Sequence, residues 1–331
     1  MNTQTYRRIS EKTNLESMPT IQPSNASYLA GLLQQIEEAK LEMNAVIPAH
    51  YYQRQEVKWV ADFIGDSLEL AKKSKETTAD TIVFAGVTFM AETAKLLNPN
   101  KTVLMPNINA GCSLADSITA GQLRYMREKY PDAAVVAYVN TTAAVKAESD
   151  VCCTSANYEK IIRALPQKRI IFVPDTHMAQ NLNAKIKAET GKEIIGWTGE
   201  CIVHKQFKDE QIKSYKEKFP ELSVLVHVEC PTTVVNSADY AGSTSGIRKY
   251  VCDNHDKKYF LVMTECGMIG DLQTEFPDRN FETPCTICPY MKEITLENIL
   301  QSLQTGKHKI KIDERIAVKA RKSLEKMFKL S

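Results

Sequence analysis

Apolar, strand-like runs recur along this 331-residue chain with a period near 89 residues. One series begins at Val46, Val135 and Val224, spaced 89 and 89, and a second at Thr81, Arg169 and Lys258, spaced 88 and 89. Cys112, Cys201 and Cys288, 89 and 87 residues apart, close the successive periods. A fixed period in independent landmarks predicts three copies of one structural unit, longer than the repeats of common solenoids. Within each copy, strands alternate with helical stretches, the pattern of a parallel sheet covered by helices on both faces. The expected fold is therefore α/β: three similar three-layer α/β/α domains with short parallel sheets around a pseudo-threefold axis. The expected boundaries are 28–116, 117–205 and 206–292, with a polar N-terminal arm over 1–27 and C-terminal helices over 293–331 packing on the outside. Residues 55–74 read as helical, and 142–162 as mostly helical with a turn, Cys152 and Cys153 sitting on a strand-like run.

Several function classes are excluded by composition. Lys plus Arg number 42 and Asp plus Glu 40, a net charge of +2. A nucleic-acid binder would carry a strong basic excess. No run of 18 apolar residues occurs, so no membrane span is expected. The first residues lack the apolar stretch of a secretory signal, and a cytoplasmic location is expected. The nine cysteines are an odd number in a large chain, which favours metal or redox roles over a disulfide framework.

Ligands of parallel α/β sheets bind at the carboxyl ends of the strands. The first strands run into His50, Tyr51 and Tyr52; Tyr138, Val139 and Asn140; and His227, Val228 and Glu229. Any one such residue can be a satisfied core group, but three coincident polar strand ends point to one pocket. About 20 residues past each strand start stand Ser67, Ser155, and Ser243 with Thr244. Hydroxyls at helix starts cap helices and also bind carboxylates or phosphates. As a threefold set they predict a small, multiply anionic substrate.

Three thiolates delivered to one point suit zinc or an iron–sulfur cluster, and a four-iron cluster ordinarily takes four cysteines. Three would leave one iron open as a Lewis acid. A zinc or disulfide role for the Cys285–Cys288 pair stays open, while Cys230, Cys252 and Cys266 read as spectators. His204 reads as a cluster neighbour, a substrate ligand or a structural histidine. His177, His255 and His308 read as surface residues.

The segments PAHYY, GDSLELA, FMAETAKLLNP, NAGCSLAD, AYVNTTAAVKAESD, TSAN, CIVH, VHVEC, GSTSG and CPYM resemble, in order and over roughly residues 29–303, the quinolinate synthase family of de novo NAD biosynthesis. The resemblance implies a transferase that condenses iminoaspartate (iminosuccinate) with dihydroxyacetone phosphate to give quinolinate, phosphate and water. It implies a [4Fe-4S] cluster on Cys112, Cys201 and Cys288. Substrate contacts are implied for His50, Ser67, Tyr138, Val139, Asn140, Ser155, His227, Val228, Glu229, Ser243 and Thr244. Tyr52 and Glu229 are implied as proton-transfer residues, with His50 and His204 beside them. An L-aspartate oxidase or aspartate dehydrogenase is the implied source of iminoaspartate. Where some relatives have a third cysteine in a C-x-x-C-x-x-C run, this chain has only Cys285 and Cys288, which argues against a redox disulfide there. The competing readings are an aconitase-type dehydratase and a non-catalytic redox or metal-binding protein.

Overall fold

The computed structural model describes residues 23–331. The expected arm lies mostly outside the described residues, and its last part is already helical: α1 spans Pro23–Glu42. Each period then contributes a parallel sheet, and the strand order is the same in all three.

The third unit shows the logic most simply. Its strands are β10 (Ser223–His227), β11 (Tyr240–Gly242), β12 (Tyr259–Met263) and β13 (Asn280–Glu282), ordered β11-β10-β12-β13, all parallel. The central strands are apolar at successive positions because both faces are covered. Val224, Val226, Leu261 and Met263 pack on one side, while Leu225, Phe260 and Val262 pack on the other. Helices α10 (Asp209–Lys218), α11 (Thr232–Asn236), α12 (Thr244–Asp253) and α13 (Gly267–Glu275) supply the two outer layers.

The second unit repeats the order with β6 (Ala134–Tyr138), β7 (Val151–Cys153), β8 (Arg169–Val173) and β9 (Glu193–Gly196), arranged β7-β6-β8-β9. Its helices are α6 (Ala120–Lys129), α7 (Ala143–Ala147), α8 (Tyr158–Ala164) and α9 (Thr176–Thr190). Asp175 caps the start of α9, and Gly191 ends it at φ 69°, a left-handed conformation that glycine adopts without a Cβ penalty.

In the first unit the leading strand is broken at Ile47 into β1 (Ala45–Val46) and β2 (Pro48–His50). β2 pairs with β3 (Phe63–Gly65), and β1 pairs with β4 (Thr81–Val83), which pairs with β5 (Thr102–Leu104). A parallel bridge from Ala49 to Ala85 joins the halves, so the order again follows the 2-1-3-4 pattern. Its helices are α2 (Gln55–Trp59), α3 (Ser67–Glu76) and α4 (Thr88–Leu97), with α5 (Ser113–Asp116) opening after Cys112.

Two helical expectations are corrected. Residues 55–74 form α2, β3 and α3, and residues 142–162 form α7, β7 and α8. The strands β3 and β7 are the outermost of their sheets. At three residues each they are too short to show an alternation, and they are flanked by helix formers.

The C-terminal helices α14 (Leu296–Thr305) and α15 (Glu314–Leu330) lie against the units. Ala317, Ala320, Leu324 and Met327 make the buried stripe of α15, which packs on α7 and β7. Among the described residues no helix is long and apolar enough to cross a membrane.

Candidate active site

The strand-end residues converge. β2, β6 and β10 end at His50, Tyr138 and His227. The next backbone N–H groups, of Tyr51, Val139 and Val228, still bond to the neighbouring edge strands, at Gly65, Cys153 and Gly242. Side chains alternate along a strand. His50, Tyr138 and His227 therefore face one cavity together with Tyr52, Asn140 and Glu229, two residues further on. Its water-accessible volume is about 70 Å³. The side chains of the intervening Val139 and Val228 face away and are buried in the apolar core.

After β2 and β10 the chain turns on a histidine. The Tyr52 N–H donates to His50 Nδ1 at 3.2 Å, and the Glu229 N–H donates to His227 Nδ1 at 3.3 Å. With Nδ1 accepting, the ring proton sits on Nε2, free to face a ligand. Burial pushes both rings down to about 3, helped by Lys58 at His50 and by His204 at His227, so both are neutral at physiological pH.

The hydroxyl set divides. Asp66, not Ser67, caps α3, its Oδ1 accepting from the Leu68 and Glu69 N–H groups at 2.9 Å. Ser67 therefore lines the cavity with its hydroxyl uncommitted. Ser155 lines it beside Tyr138, and Thr244 lines it from the first turn of α12. Ser243 does not reach it. Its Oγ caps α12 at the Gly246 N–H, 3.1 Å, and the residue lines an outer groove between α8 and α12. Asn140 Oδ1 is buried in the cavity wall with no hydrogen-bond partner among the described residues.

A single hydrogen-bonded chain crosses the cavity floor. Tyr138 Oη donates to Glu229 Oε1 at 2.6 Å. Glu229 Oε2 meets His204 Nδ1 at 2.8 Å. His204 Nε2 meets Thr264 Oγ1 at 3.0 Å, and Thr264 Oγ1 meets Tyr52 Oη at 2.6 Å. The His204 ring also stacks on His227, with centroids 4.4 Å apart. Burial alone would push the Glu229 carboxyl up. His204, His227 and the hydrogen bonds from His204 and Tyr138 outweigh it and hold the group well below the usual carboxylate range. Burial, and then Glu229, push both Tyr52 and Tyr138 well above the ordinary phenol value. The floor thus carries one buried carboxylate between protonated phenols. Thr264, which links Tyr52 to His204, escaped the sequence reading. Its one signal is a polar residue directly after an apolar strand, in the second series rather than the first.

Each cysteine sits in the loop after the fourth strand of its sheet, and the loops are tied together. Ser113 Oγ donates to the Glu200 carbonyl at 2.9 Å and accepts from the Ile202 N–H at 3.2 Å, joining the Cys112 and Cys201 loops. Glu265, fully buried, accepts from the N–H groups of Cys288 at 3.2 Å and Gly267 at 2.6 Å, and pairs with Lys292 at 2.8 Å. Cys112, Cys201 and Cys288 all line the cavity as free thiols. Burial pushes Cys112 up to about 12 and Cys288 to about 11, and raises Cys201 as well; Glu229 and a neighbouring thiol add to the rise at Cys112 and Cys201, and Glu265 adds to it at Cys288. A cationic centre among them would reverse that penalty.

Cys201, His204 and Glu229 also group their ligand atoms within 4.8 Å of one another. Both ring nitrogens of His204 and both oxygens of Glu229 are already hydrogen-bonded, so this trio is satisfied without an ion. Among the remaining cysteines, Cys152, Cys153 and Cys230 are buried and Cys252 is exposed. Cys266 is not a spectator: it forms a disulfide with Cys285, which leaves Cys288 free. His177 is also corrected, since its side chain is only 14% exposed.

Comparison with known proteins identifies the family. Residues 34–329 match the family described as Quinolinate synthetase A protein. The chain is 48% identical to quinolinate synthase 1 of Mesorhizobium japonicum, over 93% of this chain and 94% of that protein. It is 47% identical to a quinolinate synthase of Xylella fastidiosa, over 89% and 86%. A quinolinate synthase of Trichodesmium erythraeum is 44% identical over 91% and 94%. The chain therefore belongs to the quinolinate synthetase A protein family and is an enzyme of that family.

Proposed function

We propose that the chain condenses iminoaspartate with dihydroxyacetone phosphate to form quinolinate, phosphate and water in NAD biosynthesis, using a [4Fe-4S] cluster. What carries this reading is the meeting, in one cavity, of three cysteines free of disulfides and a buried carboxylate set between two phenols. The donor set fits the group: three soft ligands from three separate loops, with Glu229 and His204 satisfied by each other. Cys112, Cys201 and Cys288 would hold the cluster, which when bound supplies Lewis acidity at an iron without a protein ligand.

The chain's own residues carry the rest. Ser67, Ser155, Thr244 and Asn140, with the Nε2–H groups of His50 and His227, would hold the carboxylates and phosphate. Glu229 would take the protons that leave carbon, and Tyr52, kept protonated by burial, would return one as a donor. His204 and Thr264 fix the distance between the two. The same reading puts the reaction in the cytoplasm, supplied with iminoaspartate by an L-aspartate oxidase or aspartate dehydrogenase.

The test is anaerobic purification followed by iron and sulfide analysis together with a quinolinate assay on the two precursors. Iron, sulfide and product formation are expected. Zinc in place of iron, or no quinolinate, would overturn the reading.

A further inference from the structure

Glu229 stands in the turn after β10, and its aim depends on the peptide groups at either side of it. The carbonyls of the flanking residues, Val228 and Cys230, bracket it. Both accept from one donor: Asn181 Nδ2, at 3.1 and 3.0 Å. Asn181 is a residue of α9, in the second unit, whereas Glu229 belongs to the third. The clamp therefore crosses from one unit to the next. Its orientation has only one solution. Turning the amide over would set its oxygen against two carbonyl oxygens. The Oδ1 left behind is buried with no partner among the described residues. An orphaned buried acceptor is destabilising, a cost an apolar residue of equal size would avoid.

The second unit repeats the device at the equivalent place. Lys146, fully buried, donates to the carbonyls of Val139, at 2.8 Å, and Thr141, the residues flanking Asn140. Two of the three strand-end turns are thus held by a double donor across the residue that faces the cavity.

We infer that Asn181 is a positioning residue for the reaction: by holding the Val228 and Cys230 carbonyls it sets the Glu229 carboxylate against Tyr138 and His204. This rests on the proposed role of Glu229 as the proton acceptor. Asn181 touches neither the cavity nor the thiols, so its effect must pass through Glu229.

Asn181→Leu removes the donor at similar volume. The anaerobic enzyme is expected to lose at least about tenfold in kcat, with KM for both precursors within about threefold and iron content unchanged, since a misplacement of about 1 Å can cost a hundredfold. Asn181→Gln, which keeps an amide donor, should recover part of the loss. In a Glu229→Gln background, Asn181→Leu should have no further effect. Unchanged kcat, a parallel fall in iron, an Asn181→Gln no better than Asn181→Leu, or an equal loss in the Glu229→Gln background would each overturn the inference. Crystal structures of wild type and of either Asn181 variant give a readout independent of turnover. The Glu229 carboxylate is expected to move from Tyr138 and His204; if it keeps both contacts, the inference fails. Should wild type make no quinolinate, the functional reading falls and the structures still decide this one.

Discussion

Replacing Glu265 by Gln tests how the Cys288 loop is held. The Glu265 side chain is fully buried, and Lys292, its partner, is only 17% exposed. Removing one charge of a buried pair costs about 3–5 kcal/mol when the other is left uncompensated. Lys292 keeps the Tyr52 carbonyl and some solvent, so the low end applies. The new NH2 must also face a donor, whether the Gly267 N–H or the Cys288 N–H. Leaving one of these unsatisfied adds about 1–3 kcal/mol. The two losses overlap, because the side chain can choose which contact to give up, and a destabilisation of about 3 kcal/mol or more is expected. Urea unfolding followed by circular dichroism, with wild type and variant compared by linear extrapolation, measures it. Iron content should fall in parallel, since the Cys288 backbone loses its anchor. A change below about 0.5 kcal/mol, the size of an ordinary surface substitution, would show that Glu265 does not anchor this loop.

Glu229→Gln should keep its iron and lose about 10²- to 10⁴-fold in kcat, the usual span for a general base; wild-type turnover in steady-state assays would remove Glu229 from the chemistry. Cys112→Ala, Cys201→Ala and Cys288→Ala should each fail to hold iron on anaerobic reconstitution, while Cys153→Ala, buried within β7, should load normally. Gly199→Ala would place a Cβ 2.5 Å from the Pro174 carbonyl oxygen, and such overpacking should cost about 1–3 kcal/mol in thermal or urea unfolding. Cys285→Ser opens the link to Cys266 across a sequence separation of 19, so it should lower stability under oxidising conditions by about 3 kcal/mol yet leave iron loading intact.

The period of the chain was legible because central strands buried on both faces are apolar throughout, and β6, β8, β10 and β12 all stood out. The edge strands β3 and β11 did not, and β7 showed only as the strand-like Cys152–Cys153 pair, each being three residues long and defined by pairing with a neighbour rather than by its own pattern. At the site, residues at strand ends and loop cysteines could be located by counting. Val139, Val228 and Ser243 could not be separated from their neighbours by counting alone. Alternation turns the two valine side chains into the core, and the cap on α12 engages the serine hydroxyl. Thr264, Glu265 and Asn181 act through contacts between units, and no local spacing announces such contacts.

The equivalence of Tyr52, Asn140 and Glu229 has a consequence for ancestry. A ring of three identical subunits built from one such unit would offer the cavity three copies of the same side chain. A substrate with chemically different ends would meet the same group whichever way it turned. Joining the units in one polypeptide frees each position to change alone. One place can then keep a phenol, the next an amide and the third a carboxylate, while the scaffold stays nearly symmetric. Handedness of substrate placement is thus obtained by point substitution at three addresses, without a new fold.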